Sequence, residues 1–157
     1  MSYIISGISP APFQHLFALS DAELGALNID RHIADEELGY PCRASLMDAA
    51  VGEELLLLNF QHLDAASPYQ SSGPIFIRRQ ASAAASFTDC LPPVLNQPQR
   101  LFSVRAYDGK HRMVAAEVAS GAQLCGQIEQ FLANAGVGYL HIHFARRGCF
   151  IAKVLRG

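Results

Sequence analysis

The sequence predicts an α+β domain: a mainly antiparallel sheet built from hairpins, one longer C-terminal helix packed on it, and short N-terminal helices. Three observations carry this. Strand-like runs outnumber helical ones. Two pairs of runs in the C-terminal half are joined by short turns of hairpin type. One amphipathic stretch, 120–135, lies between those pairs. A chain of 157 residues, half of them hydrophobic, suits one domain spanning 1–157.

In chain order, 9–19 reads as a short helix after a proline-rich start. Ser20 and Glu23 have capping-box spacing and open a second short helix to about Asn28. Segments 29–35 and 42–46 are strand candidates. ELLLLNF at 54–60, after a turn-like DAAVG, suits a strand buried on both faces. Ser71–Gly73 read as a turn, with Pro74 opening the next strand. Segment 80–99 is rich in Ala, Ser and Pro, with a helical turn near 92–96. It reads as a lid, a binding loop or a loose surface excursion. LFSVRAYD and RMVAAEVA form a hairpin across Asp108-Gly109-Lys110. The helix over 120–135 is capped at Ser120 and sets Leu124, Ile128, Phe131 and Leu132 on one side. VGYLHIHFA and CFIAKVL make a closing hairpin across Arg146-Arg147-Gly148.

A formal net charge of −2 gives no general attraction for nucleic acid or an anionic membrane, and aromatic residues are not interleaved with basic ones. No apolar run is long enough to cross a bilayer, and no secretory signal pattern opens the chain. The four cysteines form no C-x-x-C pair, so reduced thiols in the cytoplasm are expected.

Strand alternation points to a site. His141 and His143 share one face, and Leu140, Ile142 and Phe144 the other. If Phe150, Ala152 and Val154 face the helix, Cys149 and Lys153 join the histidines. Ser103, Arg105 and Tyr107 extend the same polar face, which is either solvated or a pocket floor. Its residues fit three chemistries. His141 and His143 could chelate a metal, given further ligands. His141 or His143 could activate Cys149 or Cys42 as a nucleophile, beside Arg43 or Arg105. Arg43, Arg78, Arg105 and Arg147, with Tyr69, Ser72 and Gly73, could bind a carboxylate or phosphate. Against these stand plain readings: hydrogen-bonded histidines, cysteines as small apolar side chains, and solubilising arginines. No phosphate-binding loop is present, and Asp35, Glu36 and Glu37 read as a solvated turn.

Four segments carry a resemblance: YPCR at 40–43, YQSSGPIF at 69–76, SVRAY at 103–107 and the closing 139–149. Together they resemble a bacterial family catalogued only as a domain of unknown function, number 1203, over nearly the whole chain. The resemblance implies a stand-alone bacterial protein of about this length, and brings no activity, cofactor or partner. Phe144 departs from it, standing where the family more often has a smaller or polar residue.

The combined expectation is a small-molecule-binding domain, or an enzyme, with an Arg/His/Cys pocket for an anionic ligand. The alternative is a non-catalytic interaction or structural protein that uses its polar sheet face for a partner or for homodimerisation.

Overall fold

The computed structural model describes all of residues 1–157 and contains two antiparallel sheets. The larger has six strands in the order β5-β1-β9-β8-β6-β7, and the smaller three in the order β2-β3-β4. Their bounds are β1 Tyr3–Ser6, β2 Asp30–Ile33, β3 Glu54–Leu63, β4 Ser71–Arg78, β5 Ser86–Thr88, β6 Leu101–Tyr107, β7 Met113–Ser120, β8 Tyr139–Phe144 and β9 Phe150–Arg156. No helix is long and apolar enough to cross a membrane.

Both C-terminal hairpins form as expected. Asp108 organises the first turn by accepting the backbone N–H groups of Lys110 and Arg112 at 2.8 and 2.9 Å. Gly148, at φ +80°, supplies the left-handed residue of the second. β8 lies between β9 and β6, so alternation buries one face of LHIHF under a helix. Leu140 and Ile142 join Phe102, Val104, Ala152 and Val154 in the main core, against Leu124, Ile128 and Leu132.

That helix is α2, Leu124–Leu132, nine residues long and shorter than expected. Ser120 does not cap it: Ser120 ends β7, and the Gln123 side chain accepts both its N–H and its hydroxyl. Gly121 follows, and a Cβ there would stand 2.1 Å from the Gln97 carbonyl oxygen, a contact that only glycine allows.

The N-terminal elements form with corrections. The first short helix forms over Ala11–Ala18 and is of the 3₁₀ type. Ser20 and Glu23 complete the capping box of α1, Asp21–Ala26. Segment 42–46 is a turn, tied by isolated bridges from Pro41 to Asp48 and from Cys42 to Phe76. β4 starts at Ser71, so Pro74 lies inside the strand; β4 is an edge, where the missing N–H costs no ladder bond. Segment 80–99 is no loose excursion: β5 pairs with β1, and Val94 and Leu95 are wholly buried.

The three-stranded sheet builds a second core from Leu56, Leu58, Ile75 and Ile77 with Leu24, Cys42 and the 3₁₀ helix residues Leu16 and Phe17. The far end of β3 then lies across the exposed face of β8 and β9. This positions the candidate site.

Candidate functional site

Register confirms one half of the expected polar face. Ser103 is opposite His143, Arg105 opposite His141, and Tyr107 opposite Tyr139. Paired residues of an antiparallel ladder project to one side, so these six share a face. The face is neither bare nor an open pocket floor. β3 covers it, and His141 and His143 are only 3% and 1% exposed.

Two bulges decide what meets the histidines. In β3, Gln61 pairs with Ser72 and Leu63 with Ser71, so His62 is an extra residue. Both bulge residues turn toward the larger sheet. Leu63 packs on Tyr107 and Tyr139. The His62 ring stands 4.9 Å from that of His143 and 6.0 Å from that of His141. In β9, Ile142 pairs with Ala152 but His143 with Phe150, so Ile151 is the extra residue. Phe150 therefore lies on the histidine face, stacked on His62 at 5.2 Å, and not under the helix as regular alternation predicts. Cys149 loses its expected place. Its carbonyl accepts the N–H of Phe144, so its side chain leaves the histidine face on the side of Phe144.

The thiol finds another partner. Arg43, 2% exposed, donates from Nε to the Phe150 carbonyl at 2.7 Å, from Nη1 to the Pro41 carbonyl at 2.6 Å, and from Nη2 to Cys149 Sγ at 3.1 Å. It makes no salt bridge to a carboxylate; neighbouring Asp48 is engaged by both terminal nitrogens of Arg100 at 2.9 Å. Burial pulls the Arg43 guanidinium below its ordinary range, and its contact with Cys149 opposes that pull. Cys149 is partly exposed. Phe144, the departure from the resembled family, packs its ring against both guanidiniums, 5.5 Å from Arg43 Cζ and 5.6 Å from Arg100 Cζ.

The histidine layer is a separate cluster. His143 Nδ1 lies 2.8 Å from the Gly148 carbonyl, so it carries the proton and leaves a bare lone pair on Nε2. That Nε2, together with Nδ1 of His62 and Nδ1 of His141, is buried without a hydrogen-bond partner. Burial above all pushes His141 down to about 3, helped by His143, His62, Lys153 and Arg105. Burial likewise brings His143 to about 3; the Gly148 carbonyl opposes this, and Arg105, His62 and Arg43 add to it. His62 is lowered by burial and by Arg105. All three are neutral imidazoles near neutral pH. No group of three or more His, Cys, Asp and Glu side chains is arranged to hold a metal ion.

The remaining candidates lie apart. Arg78 is committed to Glu53, with Nη2 at 2.5 Å, and to the Ser45 hydroxyl at 3.2 Å. Ser72 and Gly73 lie on edge strand β4 opposite Gln61 and Phe60. Tyr69 meets Tyr107 edge-on at 6.2 Å. Cys42 is wholly buried, its sulfur accepting the Arg78 N–H at 3.4 Å. Arg147 is exposed in the last turn. Arg105 donates from Nε to Ser103 Oγ at 3.1 Å and has no carboxylate partner. A cleft of about 360 Å³ beside Asp30, Arg31 and His32 and another of about 420 Å³ beside Leu38 and Arg100 contain none of the predicted site residues.

Sequence reasoning missed His62, because the expected strand stopped at Phe60 and a bulge has no local signature. It expected one Arg/His/Cys pocket where the structure has two neighbouring clusters, Arg43 with Cys149 and the three histidines with Arg105. No curated protein and no solved structure matches the chain. A family model does, over residues 39–156, leaving the first 38 residues outside the match. The chain belongs to the family described as protein of unknown function (DUF1203).

Proposed function

We propose that this chain is a small-molecule-binding domain whose working group is the Cys149 thiol beside the buried Arg43 guanidinium, and that its ligands are anionic. One observation carries the reading. A wholly buried guanidinium has two carbonyls and one thiol as hydrogen-bond partners and no carboxylate. A desolvated cation is costly without a counter-charge, and an anionic ligand reaching the partly exposed Cys149 would supply one. A cation beside an accessible thiol is also the setting in which cysteines are reactive. Arg43 and Arg105, with no acidic partner, make the surroundings electropositive and favour an anionic substrate. Four free thiols fit a reducing compartment such as the cytoplasm.

The test compares alkylation of Cys149 by anionic iodoacetate and neutral iodoacetamide. A free thiol prefers iodoacetamide. The reading expects fast modification near neutral pH with that preference reduced or reversed, and a return to the free-thiol ratio in Arg43→Lys. A slow thiol with the ordinary preference would sink it.

The interaction reading has its own support. Val114 and Val118 are 51% and 56% exposed on β7, an edge strand of the larger sheet. Such an edge invites strand pairing. Light-scattering mass across a concentration series separates the two readings: a dimer lost in Val118→Lys, with an unreactive Cys149, favours the interface.

A further inference from the structure

Three buried ring nitrogens without partners lie in one layer: His62 Nδ1 from β3, and His141 Nδ1 and His143 Nε2 from β8. Each such atom costs about 1–3 kcal/mol unless something satisfies it. The ring centroids are separated by 4.9, 6.0 and 6.3 Å, close enough for one small group to touch all three.

The charge around the layer narrows what that group is. From β6 the layer is faced by Arg105 and Tyr107, from β9 by Lys153 and Phe150, and from β8 by Tyr139 beside the two histidines. Arg43 lies at the Phe150 end. The charged groups acting on the three rings are Arg43, Arg105, Lys153 and the rings themselves, and no carboxylate is among them. A metal cation would enter a field already positive. An anion would enter a field that favours it.

We infer that the layer formed by His62, His141 and His143 is a site for one small oxyanion of the sulfate, phosphate or carboxylate class, taken up together with protons on the imidazoles. In the closed layer the rings are neutral and touch one another and Phe150. Protonation makes every free ring nitrogen a donor and sets like charges across the two sheets, so the layer loosens unless an anion joins it. The anion then accepts from the rings, with Arg105 at the rim, and holds β3 on β8. Anion and protons bind as one linked event, so the site is shut near neutral pH and opens in mild acid. The inference rests on the anionic-ligand part of the proposed function and not on its thiol, so an unreactive Cys149 and an absent anion are separate failures.

Calorimetric titration with sulfate, which remains a dianion throughout, is the test, at constant ionic strength in chloride, at about pH 5 and about pH 8. Each proton taken up with the anion steepens the apparent affinity by up to about tenfold per pH unit. The expected result is one sulfate per chain at the lower pH, proton uptake revealed by comparing buffers of different ionisation heat, and no binding at the higher pH. His62→Gln, which can still hydrogen-bond but cannot titrate, should take up one proton fewer with the anion and flatten the pH dependence by that share, and circular dichroism establishes that it is folded. His15→Ala, an exposed histidine elsewhere, should change nothing. In parallel, low-millimolar sulfate should raise the wild-type melting temperature at about pH 5 by more than in His62→Gln, which removes sulfate's general salting effect from the comparison. Sulfate binding that is equal at both pH values, unaccompanied by protons, unchanged in His62→Gln or absent altogether overturns the inference.

Discussion

Arg43 Nη2 lies 3.1 Å from Cys149 Sγ, across 106 positions of sequence, and the thiol is the one side chain to which that guanidinium donates. The two residues therefore depend on each other. Cys149→Ser keeps an acceptor and is expected to cost about 1 kcal/mol or less. Arg43→Ala leaves the Pro41 and Phe150 carbonyls without their donor and opens a hole, and should cost about 3 kcal/mol or more. Urea unfolding of both variants checks the order; equal losses would mean that the pair is not where the stability lies.

Acid should destabilise the fold through the histidine layer. His141 and His143 take protons near 6.5 when unfolded but are held to about 3 in the fold. Between those values the unfolded chain binds more protons, so stability falls as pH is lowered from about 6.5 toward about 3. The slope is at most about 1.4 kcal/mol per pH unit for each histidine. Melting curves at several pH values in chloride alone measure it. A flat profile through this window contradicts the burial of the two imidazoles.

Gly7 closes the end of β1 against the Arg43 segment. A Cβ there would lie 2.2 Å from the Ala44 carbonyl oxygen and 2.8 Å from that of Arg43. Both are backbone atoms, and neither can turn aside. Gly7→Ala is expected to cost about 2 kcal/mol or more and to slow Cys149 alkylation by displacing Arg43. Gly25→Ala, where a Cβ meets nothing within 4 Å, is the matched control.

Arg78 belongs to the scaffold. Its nitrogens are taken by Glu53 and Ser45, and its pairing holds β4 to the turn before β3. Arg78→Ala should cost about 1–2 kcal/mol and leave the iodoacetate-to-iodoacetamide ratio unchanged. A changed ratio would return Arg78 to the anion site.

Much of the fold was legible because local rules carried it. Period-two alternation and the D-G and R-R-G turns define β6–β7 and β8–β9, and the shared face of Arg105, His141 and His143 follows from the same period. The unread parts are non-local. Segment 42–46 looks β-prone, yet its backbone is drawn to β4, where Arg43 N–H reaches the Phe76 carbonyl at 3.0 Å. The division into two sheets follows from which hairpin folds over which, and no window of sequence records that. His62 and Phe150 were misjudged for related causes: His62 is itself an extra residue in a ladder and Phe150 sits next to one, Ile151, and both are visible only against the partner strand.

The inserted Ile151 acts as a phase shift within β9. Counted from Ala152 onward the strand keeps one beat, and counted back from Phe150 it keeps the other. Lys153 and Phe150 thus point the same way although three positions separate them, and the thiol is turned out of the layer toward Arg43. Removing that single residue would make the ladder regular and still leave Phe150 opposite His143 and Cys149 beside Phe144, because Phe150 would then directly precede Ala152. What keeps the thiol apart from the imidazoles is therefore the phase in which the strand pairs on either side of its extra residue, a count of residues and not a property of any side chain in either cluster.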